Sequence, residues 1–248
     1  AASAALVSLT VFMDSSLGWN GWLPLPLLAI GIVIFAMGWP RLLAVPARYG
    51  AAIVIAGSGL AALIAVATTG HMEPLALVMA GGVIGSFVHQ MMRSDGRPRL
   101  VESVSATTAG VVAAVGSAGW IAIITRPNLP LAGQHPRPTA LIVLAACILA
   151  VAALAVALTP QWLTWSLVPI LGAVLGGGLG AIFPTVGWIA GTSLGFCLAV
   201  FTVGLHVLFD IFPASRRIRP ALAAALLPVL ASGVIVYTIA RVIATVTV

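Results

Sequence analysis

Between Glu102 and Asp210 the chain has no carboxylate at all, and its only arginines there are Arg126 and Arg137. Water cannot be the solvent for such a stretch. An average soluble domain is about 25% charged, whereas 6% of these 248 residues are charged and 61% are apolar. The chain must bury its backbone polar groups within helices and use lipid as the medium around them. The sequence therefore predicts an all-α, polytopic integral membrane helical bundle, a single transmembrane domain over 1–248.

Short polar breaks divide the apolar sequence into runs of membrane-spanning length. The expected spans are 22–39, 50–69, 75–92, 103–125, 139–158, 164–183, 186–209 and 221–245. A ninth, 1–13, is shorter. It lacks the basic flank of a cleavable signal peptide and is expected either to cross or to lie along the interface, giving eight or nine transmembrane helices. Trp22 and Trp39 bracket one run and are expected at the headgroup level. Cys147 and Cys197 fall inside apolar runs and are expected to be small buried hydrophobes.

The formal charge is +6 and every one of the eleven basic residues is arginine. These arginines are spread over loops without aromatic interleaving, so the charge does not read as a nucleic-acid surface. It reads as orientation. With the loop 93–102 inside, the loops 40–49, 93–102, 159–163 and 210–220 share that side, with Arg41, Arg48, Arg93, Arg97, Arg99, Arg216, Arg217 and Arg219. Arg126, Arg137 and Arg241 fall on the other. This positive-inside bias predicts a multi-pass protein of a bacterial inner (plasma) membrane, with a cytoplasmic N-terminus if there are nine spans.

Two constellations stand out. On the cytoplasmic side, His89, Arg93, Arg97, Arg99, Glu102, His206, Asp210, Arg216 and Arg217, with Asp95, could contact a lipid headgroup or a partner, because guanidinium groups bind phosphate by charge-assisted, bidentate hydrogen bonds. In the runs 164–183 and 186–209, Gly172, Gly176 and Gly180 and then Gly187, Gly191 and Gly195 recur every four residues. That spacing sets each trio on one helix face and lets two backbones approach closely. The alternative for Gly176-Gly-Gly178 is an unwound segment lining a cavity. No phosphate-cradling Gly-rich loop ending in Lys-Ser/Thr, zinc-protease motif or metal-type Cys/His spacing occurs. The expected catalytic residues, metal ligands and cofactors are none.

The order of features over 22–122 includes a span ending in Arg41-Leu-Leu, a span pair, a basic loop and Leu100-Val-Glu-Ser-Val-Ser-Ala-Thr-Thr-Ala-Gly-Val-Val112. With Leu208-Phe-Asp-Ile-Phe-Pro-Ala-Ser-Arg-Arg217, it resembles the CDP-diacylglycerol synthase (phosphatidate cytidylyltransferase) family of membrane enzymes. The resemblance implies a cytoplasmic site at Asp210, Ser215, Arg216 and Arg217. The family's chemistry relies on divalent metal held by several carboxylates and on lysines. Here there is no lysine, and no acidic residue follows Asp210. The resemblance therefore implies a degenerate relative that has lost cytidylyl transfer. The function expected is that of a non-catalytic accessory or lipid-binding subunit, with membrane lipids and other membrane proteins or a second copy as partners. The alternatives are a cytidylyltransferase-like enzyme and a small permease for a lipid or hydrophobic solute.

Overall fold

The computed structural model describes residues 24–125, 138–183, 186–210, 212 and 217–246. Among these, the chain forms helices and no strand: α1 (Pro24–Leu42), α2 (Arg48–Thr69), α3 (Pro74–Met91), α4 (Leu100–Gly116), α5 (Ala118–Thr125), α6 (Pro138–Leu158), α7 (Gln161–Ile182), α8 (Trp188–Asp210) and α9 (Ile218–Val246). Among the described residues, eight spans are long and apolar enough to cross a membrane, with α4 and α5 sharing one of them. The fold is an all-α polytopic bundle. The stretch 1–13, together with Trp22, Arg126 and Arg137, lies outside the described residues.

Local chemistry accounts for the ends of the helices. The α2 helix stops at Gly70, whose φ of 67° returns its N–H to the Val66 carbonyl. This is the left-handed cap that glycine adopts without a steric penalty. Pro74 then opens α3 at a position where its missing N–H is no loss. The break between α4 and α5 has a similarly local cause. Ser117 turns its hydroxyl onto the Ala114 carbonyl at 2.6 Å, and its own N–H follows the same tighter i→i−3 path. With Gly116 and Gly119 on either side, this is the setting in which helices bend. The expected single span 103–125 is thus one crossing made of two helices.

The broken helix α4–α5 is the most deeply buried crossing. Around it pack α1, α2, α3 and α9, and α9 also lies along α1. The α1–α9 crossing is close because Gly38 has no side chain: a Cβ there would overlap the Arg219 carbonyl oxygen and Ala223. The α5–α9 crossing depends on Gly119, which sits against the backbone of Gly233. Two indoles lock this centre. The Trp39 Nε1 donates to the Ala106 carbonyl at 2.8 Å, and the Trp120 Nε1 donates to the Val229 carbonyl at 2.8 Å. Trp39 is therefore a core residue, only 5% exposed, and not the interfacial anchor expected from its place at the end of a run. A carbonyl acceptor within the bundle satisfies the N–H that would otherwise be drawn to the headgroups.

The remaining helices form a second group. The α7–α8 hairpin makes the most extensive contact in the molecule, and α6 joins it to the central bundle. A Cβ on Gly176 would overlap the Gly191 carbonyl oxygen, one on Gly191 the Gly176 oxygen, and one on Gly195 the Gly172 oxygen. Gly180 meets Gly187 in the same way. The two glycine trios face each other along one seam. The helix α7 runs unbroken through Gly176, Gly177 and Gly178, so no unwound segment exists there. Its far side is apolar and exposed, including Trp162, Trp165 and Val174, as expected of a face in contact with lipid. Cys147 and Cys197 are also exposed. Their expected burial is corrected for a reason peculiar to membranes: lipid is as apolar as a core, so an apolar position need not be an interior one.

Candidate functional site

The arginine-rich end of the bundle begins with the hinge between α3 and α4. Asp95 accepts from Arg93 at 3.1 Å through Nε and at 2.6 Å through the second nitrogen. The other Arg93 nitrogen donates to Gln90 Oε1 at 2.7 Å. The Arg93 side chain is only 6% exposed, against 54% for Asp95. The guanidinium holds the Asp95 carboxyl below its ordinary value, chiefly through these hydrogen bonds. Arg97 donates to the Met91 carbonyl at 2.9 Å and to the Arg93 carbonyl at 3.3 Å, capping acceptors that the end of α3 leaves free. Arg99 pairs with Glu102 and donates to the Ala44 carbonyl at 3.2 Å. That last bond ties the hinge to the α1–α2 loop, so both basic loops share one end of the molecule.

The hinge is a self-satisfied staple. Arg93, Arg97 and Arg99 direct their donors into the chain, and Asp95 and Glu102 are neutralised by them. Arg41 lies 5.7 Å from the Tyr49 ring centre and donates to the Met37 carbonyl. Arg48, Arg217 and Arg219, at or beside the starts of α2 and α9, are exposed, and their side chains have no carboxylate or hydrogen-bond partner among the described residues. Of these three, sequence reasoning had placed only Arg217 in the site. Arg48 and Arg219 carried a signal only in the orientation count. Arg216 and the side chain of Asp210 lie outside the described residues.

Below the hinge, a polar seam runs between α3 and α4. Gly82 packs on Val111, and this antiparallel register sets Ser86 level with Thr107 and Gln90 level with Ser103. All four are buried. Ser86 donates back to the Gly82 carbonyl at 2.8 Å and Thr107 to the Ser103 carbonyl at 2.7 Å. Gln90 Nε2, Ser103 Oγ and His89 Nε2 have no partner among the described residues. The His89 ring occupies the space above Gly50, so that glycine holds the imidazole against α2.

His206 is elsewhere. It is exposed, without a hydrogen-bond partner among the described residues, and lines a cavity of about 340 Å³ between α6, α8 and α9. Ala153 and Val156 of α6, Thr202 of α8, and Ala224 and Pro228 of α9 share its wall. The structure thus separates the predicted residues into the staple at the hinge, His89 on the α2–α3 contact and His206 on this cavity. Among the described residues, no three His, Cys, Asp or Glu side chains gather as a metal centre would need.

No protein-family model, curated protein or solved structure matches this chain. The resemblance to CDP-diacylglycerol synthases accordingly rests on the sequence segments quoted above alone.

Proposed function

We propose that the chain is a non-catalytic, lipid-binding accessory protein of a bacterial inner membrane, with its arginine-rich end on the cytoplasmic side, where it engages anionic headgroups. The observation that carries this reading is the charge left over after internal pairing. Arg48, Arg217 and Arg219 face outward with no carboxylate partner among the described residues, while both carboxylates of the hinge are already matched to arginines. Each basic residue beside an anionic leaflet contributes about 1 kcal/mol, so three together supply about 3 kcal/mol, roughly a hundredfold in affinity.

The test is lipid retention. The purified protein in mixed phosphatidylglycerol–phosphatidylcholine nanodiscs is expected to keep the anionic lipid, as read by native mass spectrometry. The Arg48→Gln, Arg217→Gln, Arg219→Gln triple variant is expected to lose that preference. An unchanged preference would sink the headgroup reading. CTP-dependent formation of a cytidylyl lipid by the purified protein would overturn the non-catalytic one and favour kinship with the cytidylyltransferases.

A further inference from the structure

Pro228 has no N–H, and its ring pushes away the carbonyl four residues earlier. That carbonyl belongs to Ala224, so within α9 it lacks the donor every neighbouring carbonyl has. Ala224 and Pro228 both line the α6/α8/α9 cavity. In a bilayer a carbonyl without a donor costs energy unless a neighbouring helix, a side chain, a water or a ligand satisfies it. Thr202 lies on the same wall, 4% exposed, and its hydroxyl proton is already given to the Leu198 carbonyl at 2.8 Å. Its oxygen is therefore left as an acceptor. His206, also on the wall, has no side-chain partner among the described residues, and an imidazole N–H can donate.

The cavity, a half-open recess, thus offers two acceptors and one imidazole on an otherwise apolar wall. At about 340 Å³ it falls within the range of about 300–1,000 Å³ typical of ligand pockets, which are likewise apolar with a few convergent polar groups. A phosphate or carboxylate offers only acceptors and could pair with His206 alone, facing acceptors at Ala224 and Thr202. A hydroxyl matches: it can donate to the Ala224 carbonyl or to Thr202 and accept from His206. The depth agrees, since Ala224 is five residues inward from Arg219, about 8 Å along the helix at 1.5 Å per residue. A group there lies below the headgroup phosphates.

We propose that this cavity binds a hydroxyl-headed lipid, a glyceride or long-chain alcohol, with the hydroxyl between Ala224, Thr202 and His206 and the chain running out between α6 and α8. This site is separate from the headgroup contacts of the arginines and does not depend on them.

The test uses the full chain in phosphatidylcholine nanodiscs and a monoacylglycerol with a photoreactive group in its acyl chain. Crosslinks are expected on α6, α8 and α9. Unlabelled monoacylglycerol should compete at least tenfold better than the same molecule with its hydroxyls capped as methyl ethers. Pro228→Ala restores the missing N–H without burdening the helix, and should weaken labelling about tenfold, the loss of roughly one hydrogen bond. His206→Leu should also weaken it, with His206→Gln retaining more. Ala225→Leu, which fills the cavity, should abolish it. The triple arginine variant should leave it unchanged. Equal competition by the methyl ether, stronger competition by a phosphate-headed lysolipid, or full labelling of both Pro228→Ala and Ala225→Leu would overturn the proposal.

Discussion

At the scale of single residues, backbone strain and unpaired polar atoms give the sharpest tests. Ala44 sits at φ 52°, a left-handed conformation that costs a residue with a Cβ roughly 1–2 kcal/mol. Ala44→Gly is therefore expected to raise thermal stability in detergent by about 1 kcal/mol. Ser103 is buried, and its hydroxyl has no partner among the described residues, so Ser103→Ala should be neutral or stabilising by up to about 1 kcal/mol in the same assay. Asp95 gives a pH dependence. Its folded-state pKa is depressed from 3.8 by Arg93, so the ion pair's contribution is complete above that ordinary value and is lost as pH falls through the lower, folded-state one. The stability difference between wild type and Asp95→Asn should accordingly disappear in acid. A difference that grows on acidification would contradict the staple. The charges of this hinge were plain in the sequence, but their pairing was not. Whether an arginine faces a headgroup or a neighbouring carbonyl depends on the turn at Gly96 and Arg97, where φ is positive at both residues.

At the scale of helices, the α7–α8 seam turns one residue type into two opposite outcomes. A Cβ on Gly176 meets the backbone of Gly191, while one on Gly178 meets nothing. Gly176→Ala should destabilise by about 1–3 kcal/mol, as overpacking does. Gly178→Ala, two positions away, should stabilise by about 0.5–1 kcal/mol through helix propensity. Equal effects in a denaturation series would refute the placement of this seam. Four-residue spacing made the glycine faces legible from sequence, because the period of a helix converts spacing directly into a face. The helices themselves were legible for the same reason, from run length and flanking prolines and glycines. What periodicity could not convey was partnership. Trp39 lay at the end of an apolar run like an interfacial anchor, and only its hydrogen bond to a helix far away in sequence, at Ala106, makes it a core residue.

At the scale of the whole molecule, the Arg99–Ala44 bond joins the two loops flanking α2 and α3 at one end, while His71 lies in a turn at the other. If the arginine-rich end is cytoplasmic, a membrane-impermeant thiol reagent should label His71→Cys in spheroplasts and Gly96→Cys only in inverted vesicles, in a background with Cys147 and Cys197 replaced by serine. The reverse pattern would refute the orientation. The cavity beside Pro228 was invisible to sequence reasoning, because it arises where α6, α8 and α9 converge and no local pattern encodes that meeting. The close crossing of α1 and α9 at Gly38 has a consequence for biogenesis. Residues 42 and 218 are far apart in the chain, so at about 5–20 residues per second α1 emerges roughly nine to thirty-five seconds before its main partner. During that interval the small-residue face of α1 must be covered by lipid or by an insertion factor, and the bundle can close only when the C-terminal helix displaces that temporary occupant.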